Sequence, residues 1–74
     1  MKKNIEEIFA HVLQIPVGLV VDDLGYEDVQ SWDSIGHMGI ISAIEETYNI
    51  VISPDDILNI ANFKSAKEIV GKYL

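Results

Sequence analysis

Ser34 is the residue on which chemistry could be built. It follows Asp33, a side chain suited to cap a helix N-terminus, so it falls at the first helical position of the segment that begins there. Backbone N–H groups without intrahelical partners and the positive end of the helix dipole converge at such a position. A phosphate monoester or diester attached to that hydroxyl would be stabilised by them. The same placement also suits an ordinary first-turn serine that helps to satisfy end donors. His37, three residues on, offers a Ser–His pair for nucleophilic catalysis. Helical spacing turns it toward an apolar stripe, which favours a structural role. The acidic run from Asp22 to Asp33 has the length of an EF-hand loop, but Leu24, Tyr26 and Glu27 stand at its third, fifth and sixth positions, where oxygen ligands and glycine are required. No His/Asp/Glu set has the spacing of a dedicated metal site. The chain has no cysteine, which excludes disulfides, thiolate zinc sites, iron–sulfur clusters and cysteine nucleophiles.

The segment that carries Ser34 reads as a helix over 34–48, and at about 100° per residue it has two faces. Ile40, Ile41, Ile44, His37 and Tyr48 share one arc, the expected core stripe. A second arc holds Ser34, Ile35, Met38, Ser42, Glu45 and Glu46. Apolar residues framed by acids on a face turned from the core predict a contact surface for partners. The alternative is that the preceding loop covers Ile35 and Met38. Gly36, Gly39 and Ala43 occupy the remaining side.

Three further elements must position this helix. Ile5, Ile8, Phe9 and Val12 recur at helical spacing behind Asn4, predicting an amphipathic helix over about 4–14, ended by Pro16 and Gly18. Residues 15–32 read as a long ordered loop pinned by Val20 and Leu24, with Trp32 packed beneath it; loops of that length in small domains are commonly functional. Asn49 is the expected stop of the Ser34 helix, and Ile50, Val51 and Ile52 an apolar link. Ser53-Pro54-Asp55-Asp56 places a cap, a proline at the first helical position and acids in the first turn of a short helix, about 54–60. Ser65 with Glu68 offers a capping box for a last helix that buries Ala66, Ile69, Val70 and Tyr73, and Phe63 is expected in the core. No stretch alternates as a strand does. The fold class is all-α: three main helices, one short helix and a long first loop, in a single domain over 1–74.

Composition narrows the partners. Of 74 residues, 12 are acidic and 5 basic, a formal charge of −7. Nine acids lie between Asp22 and Asp56 with no base among them. That distribution argues against nucleic-acid backbones and anionic membranes and favours partners with basic patches. Lys64, Lys67 and Lys72 are expected to form a solvated face near the negative end of the last helix, and His11 to lie on the surface. Hydrophobic residues make up 49%, enough for a folded core. No segment is long and apolar enough to cross a membrane, and Asn4, Glu6 and Glu7 interrupt any leader that Met1-Lys2-Lys3 could begin, so a cytoplasmic chain is expected.

Asp33-Ser34-Ile35 at the head of an amphipathic helix resembles the Asp-Ser-Leu motif of acyl carrier proteins. Asp22-Asp23-Leu24-Gly25 is similar to the acidic stretch before that motif. Ala43-Ile44-Glu45-Glu46-Thr47-Tyr48 resembles the family's Ala-Leu-Glu-Glu-Glu-Phe helix end, and Ile52-Ser53-Pro54-Asp55-Asp56 the start of its third helix. The resemblance runs over essentially the whole chain. It implies a four-helix, acyl-carrier-type bundle without catalytic activity of its own. It further implies that Ser34 receives 4′-phosphopantetheine from coenzyme A through a phosphopantetheinyl transferase, with Asp33 beside it. The terminal thiol of that arm then carries acyl groups as thioesters, loaded by a ligase or acyltransferase and presented to downstream acyl-processing enzymes by a monomeric carrier. The chain departs from the fatty-acid pattern at Gly36 and Gly39, at Ile35, at Trp32 and at His37-Met38. Its Trp-Asp-Ser-Ile-Gly-His-Met stretch looks more like a stand-alone carrier of a dedicated fatty-acid or polyketide-type pathway. The peptidyl-carrier Gly-Gly is absent, and the Asp-Ser-Met-Gly of D-alanyl carriers is partly matched. An aminoacyl carrier and an unmodified acidic helical adaptor stand as alternatives.

Overall fold

The computed structural model describes residues 4–74, so the reading of Met1-Lys2-Lys3 lies outside the described residues. The order of elements is α1 (Ile5–Leu13), a single 3₁₀ turn (Val17–Leu19), α2 (Ser34–Tyr48), α3 (Pro54–Asn59) and α4 (Phe63–Gly71). Among the described residues there is no strand, only one antiparallel bridge between Gly25 and Asn62.

Each helix starts where a side chain can take up its orphan N–H groups. Asn4 Oδ1 accepts from Glu7 N–H at 2.8 Å while Glu7 Oε1 accepts from Asn4 N–H at 3.2 Å, a reciprocal capping box. Asp33 Oδ1 accepts from Gly36 N–H at 2.9 Å at the head of α2, and Ser53 Oγ from Asp56 N–H at 3.3 Å at the head of α3. Helix α2 stops at Asn49, left-handed at φ 56°, as the sequence predicts. Helix α1 ends earlier than Pro16 and Gly18 would require: Gln14 turns left-handed at φ 55°, and the N–H groups of Gln14 and Ile15 both reach the Ala10 carbonyl.

Helix α4 begins differently from expectation. Its cap is Asn62, and Ser65 is the third helical residue: Ser65 N–H donates to Asn62 Oδ1 at 2.7 Å and Asn62 N–H donates to Ser65 Oγ at 3.0 Å. Ser65 therefore closes a capping box backward onto Asn62 rather than forward onto Glu68. The reason is tertiary. Asn62 is held extended by the bridge to Gly25, with Tyr26 N–H on the Ala61 carbonyl at 2.9 Å and Phe63 N–H on the Leu24 carbonyl at 2.8 Å. The helix starts where that bridge ends.

One apolar cluster joins the four helices and the first loop. Phe9 sits at its centre, edge-on to Trp32 (5.3 Å between centroids) and to Phe63 (5.0 Å), pairs that add about 0.5–1.5 kcal/mol each beyond burial. Ile8 and Leu13 from α1, Ile40, Ile41 and Ile44 from α2, and Ala66, Ile69 and Val70 from α4 close around it. From the first loop, Val20, Leu24 and Trp32 are buried in the same cluster, so the loop is pinned to the core at these three points. Tyr48 packs partly against this cluster, and its phenol is pushed up by burial and then by the Glu6 and Glu7 carboxylates of α1.

Lys67 of α4 and Lys72, which follows its last residue, are not simply solvated. Lys67 Nζ pairs with Asp22 at 2.7 Å and lies 5.0 Å from the Phe63 ring centre. Lys72 Nζ pairs with Asp56 at 3.0 Å, and the Tyr73 hydroxyl donates to the same carboxylate while accepting Ser53 N–H at 3.0 Å. These contacts tie the first loop to α4 and the start of α3 to the residues just after α4. Lys64 stands in the first turn of α4, at its positive rather than its negative end.

Candidate functional site

Ser34 is the first residue of α2 and is exposed. Asp33 directs one carboxylate oxygen inward to Gly36 N–H, and its carbonyl accepts from His37 N–H at 2.8 Å, starting the helical ladder. The N–H groups of Ser34 and Ile35 lie ahead of that ladder, at the dipole's positive end. Gly36 makes this start possible: a Cβ there would stand 2.0 Å from the Ser31 carbonyl oxygen. The helix-propensity cost of that glycine, about 0.5–1 kcal/mol, is the consequence of a chain that doubles back against its own helix. Gly39 serves closeness of a milder kind, with Val12 Cγ1 of α1 at 3.1 Å from an added Cβ.

His37 is half-buried and serves structure. Its Nδ1 accepts from the Trp32 indole N–H at 3.0 Å. An indole nitrogen only donates, so the proton of the neutral ring sits on Nε2, which donates to the Ile57 carbonyl of α3 at 2.9 Å. The indole and imidazole lie nearly parallel, 13° apart, with centroids at 6.2 Å. Both ring nitrogens are thus committed away from Ser34, and no Ser–His pair forms. The described residues hold no cluster of three or more metal-ligating side chains.

Tyr26 is the residue the sequence did not single out. Its hydroxyl lies 3.1 Å from Ser34 Oγ, and its ring stands edge-on to His37 (5.8 Å) and to Trp32 (6.4 Å). Its backbone is held by the Gly25–Asn62 bridge and by Asp28, whose Oδ2 accepts Gly25 N–H at 2.7 Å. A tyrosine in an irregular loop, eight positions before the serine, carries no periodic signal that could have announced this contact.

Beside Ser34 opens a cleft of about 410 Å³ between the first loop, α2 and α3, lined by Tyr26, His37, Met38, Ile57, Leu58 and Ile60 among others. On the outer face of α2, Ile35 is 84% exposed and Met38 50%, and Ser42 and Glu46 are exposed. The loop does not cover them. Glu45 differs from its neighbours: it is half-buried, and its Oε2 accepts Ile52 N–H at 2.9 Å in the link to α3. Across the cleft, Leu58 of α3 is 82% exposed and extends the apolar part of this face, a residue the reading of α2 alone omits.

An exposed hydroxyl at a helix start, beside an open and largely apolar cleft, fits a phosphate-linked arm. The protein class follows from comparison with known proteins. Residues 3–70 match the family model described as a phosphopantetheine attachment site. The chain is 32% identical over 68 residues to an acyl carrier protein of Cyanidium caldarium, covering 92% of this chain and 79% of that one. The fold is similar to that of the holo acyl carrier protein from Geobacter metallireducens solved by solution NMR, with a TM-score of 0.83 at 23% identity over 93% of this chain and 79% of the other. The chain belongs to the acyl carrier protein family, whose members are non-catalytic carriers with a 4′-phosphopantetheine prosthetic group.

Proposed function

We propose that Ser34 bears the 4′-phosphopantetheine arm and that the chain carries acyl intermediates of a specialised fatty-acid or polyketide-type pathway as thioesters on it. The observation that carries this reading is the position of Ser34: first residue of α2, exposed, at the mouth of the cleft. The arm supplies the reactive thiol that a cysteine-free chain lacks. The chain's own residues hold its root. Asp33 fixes the helix start, and Trp32 and His37 pin α2 to α3 beneath the cleft.

Ile35, Met38, Ser42, Glu45 and Glu46 form the face offered to the phosphopantetheinyl transferase, to the loading enzyme and to acyl-processing enzymes with basic patches, and Leu58 joins them. Exposed acids add little affinity, about 0–1 kcal/mol per pair, but steer encounter, which suits a carrier that successive partners must release. The chain acts as a monomer in the cytoplasm. No helix among the described residues is long and apolar enough to cross a membrane.

Incubation with coenzyme A and a broad-specificity phosphopantetheinyl transferase, read by intact mass, tests the assignment. The chain gains one arm and Ser34→Ala gains none. A wild-type chain that stays unmodified while a control carrier is loaded would support the adaptor reading instead.

A further inference from the structure

Two of the three described lysines are engaged elsewhere, Lys67 with Asp22 and Lys72 with Asp56, and Lys64 stands in the first turn of α4. Asp33 adjoins the serine with a carboxylate. The donors that the structure places at Ser34 are neutral ones. The helix start supplies backbone N–H groups. A side-chain donor is also in place, the Tyr26 hydroxyl at 3.1 Å from Ser34 Oγ.

We propose that Tyr26 is a binding residue for the phosphate of the attached arm, its phenol O–H donating to a phosphate oxygen. The proposal rests on modification at Ser34. In the unmodified chain the phenol's partner is a neutral hydroxyl. In the modified chain Oγ is an ester oxygen with little acceptor strength, and the charged oxygens lie just across the phosphorus from it. A hydrogen bond to an ionised acceptor is roughly twice as strong as one between neutral groups, so the phenol exchanges its partner for a better one.

Tyr26 is built for this role rather than free to drift into it. Its N–H is bonded to the Ala61 carbonyl, its ring rests on the edges of Trp32 and His37, and it lines the same cleft as Ser34. The imidazole it rests on is bonded at both nitrogens. The phenol is thus carried by the α2–α3 pin and by the loop–α4 bridge together. The arm's root would be oriented over the cleft by a residue of the first loop.

Nuclear magnetic resonance of wild type and Tyr26→Phe, each unmodified and loaded from coenzyme A, tests this. The Cζ resonance of Tyr26, recognised by its loss in the variant, moves when the wild type is loaded. The phosphorus resonance of the loaded variant is displaced from that of the loaded wild type. A Cζ resonance unmoved by loading overturns the proposal, and so does a phosphorus resonance identical in the two proteins. The wild-type comparison needs no variant to fold, and the phenylalanine keeps the ring contacts. Intact mass separates the two readings. An unloaded chain, or loading that survives Ser34→Ala, removes the assignment of Ser34; a loaded chain with unmoved resonances removes only the role of Tyr26.

Discussion

Helix α2 presents two surfaces that differ in how they are held. On the inner one, Ile40, Ile41 and Ile44 are buried and His37 is bonded to Trp32 on one side and to Ile57 on the other. On the outer one, Ile35, Met38, Ser42 and Glu46 touch solvent. A carrier needs both. The inner surface keeps the start of the helix, and with it Ser34, in one position. The outer surface stays open because nothing among the described residues covers it. Glu45 lies between the two regimes, half-buried and bonded to the α2–α3 link.

The sharpest way to break the inner surface is at Gly36. Gly36→Ala drives a methyl group into the Ser31 carbonyl, and a destabilisation of about 2–3 kcal/mol is expected in urea unfolding. Gly39→Ala meets only the end of the Val12 side chain, which can yield, so a change within about 1 kcal/mol is expected from the same measurement. Equal costs at the two positions would remove the distinction drawn between backbone and side-chain contact.

Next comes Trp32. Trp32→Phe strips the donor from His37 Nδ1 and leaves a gap in a fully buried site, with an expected loss of about 2 kcal/mol. Ile35→Ala, on the outer face, is expected to change stability by less than about 0.5 kcal/mol while slowing loading by partner enzymes.

The two glutamates sharpen the boundary between the faces. Glu46→Lys leaves stability nearly unchanged and slows loading by a cognate enzyme, more at low salt than at high. Glu45→Lys does the same to loading but also removes the acceptor of Ile52 N–H, at a cost of about 1 kcal/mol. Loading rates that ignore both charge reversals at every salt concentration would make this face a solvated surface only.

The smallest effects are electrostatic and lie away from α2. The Tyr73 hydroxyl, then the Lys72 ammonium, hold the half-buried Asp56 carboxyl below its ordinary value of 3.8. A folded-state value below the unfolded one gives stabilisation that is present above pH 3.8 and fades as pH falls through the lower folded value. Tyr73→Phe should flatten that acid limb in thermal melts. Lys67, bonded to Asp22, shifts the other way from 10.5, so its contribution is present below that pH and fades as pH rises beyond it.

Much of this protein was legible from short-range pattern. Asn4, Asp33 and Ser53 cap the helices expected of them, Asn49 stops α2, and Phe63 and Trp32 are buried. Caps and apolar periodicity involve residues within about four positions of one another, and those relations are written in the chain itself. The position of Ser34 at a helix start, the two faces of its helix and the central concentration of acids belong to that class. Tertiary structure decided the rest. Asn62 rather than Ser65 caps α4 because the Gly25 bridge holds it extended. Tyr26 reaches Ser34 because the loop returns to Ala61. His37 takes one tautomer because an indole donor and a carbonyl acceptor, the latter twenty positions away, meet it from opposite sides. Such contacts depend on the path of irregular backbone, which side-chain spacing along a sequence does not encode, and they set the surroundings of the one hydroxyl on which the proposed chemistry depends.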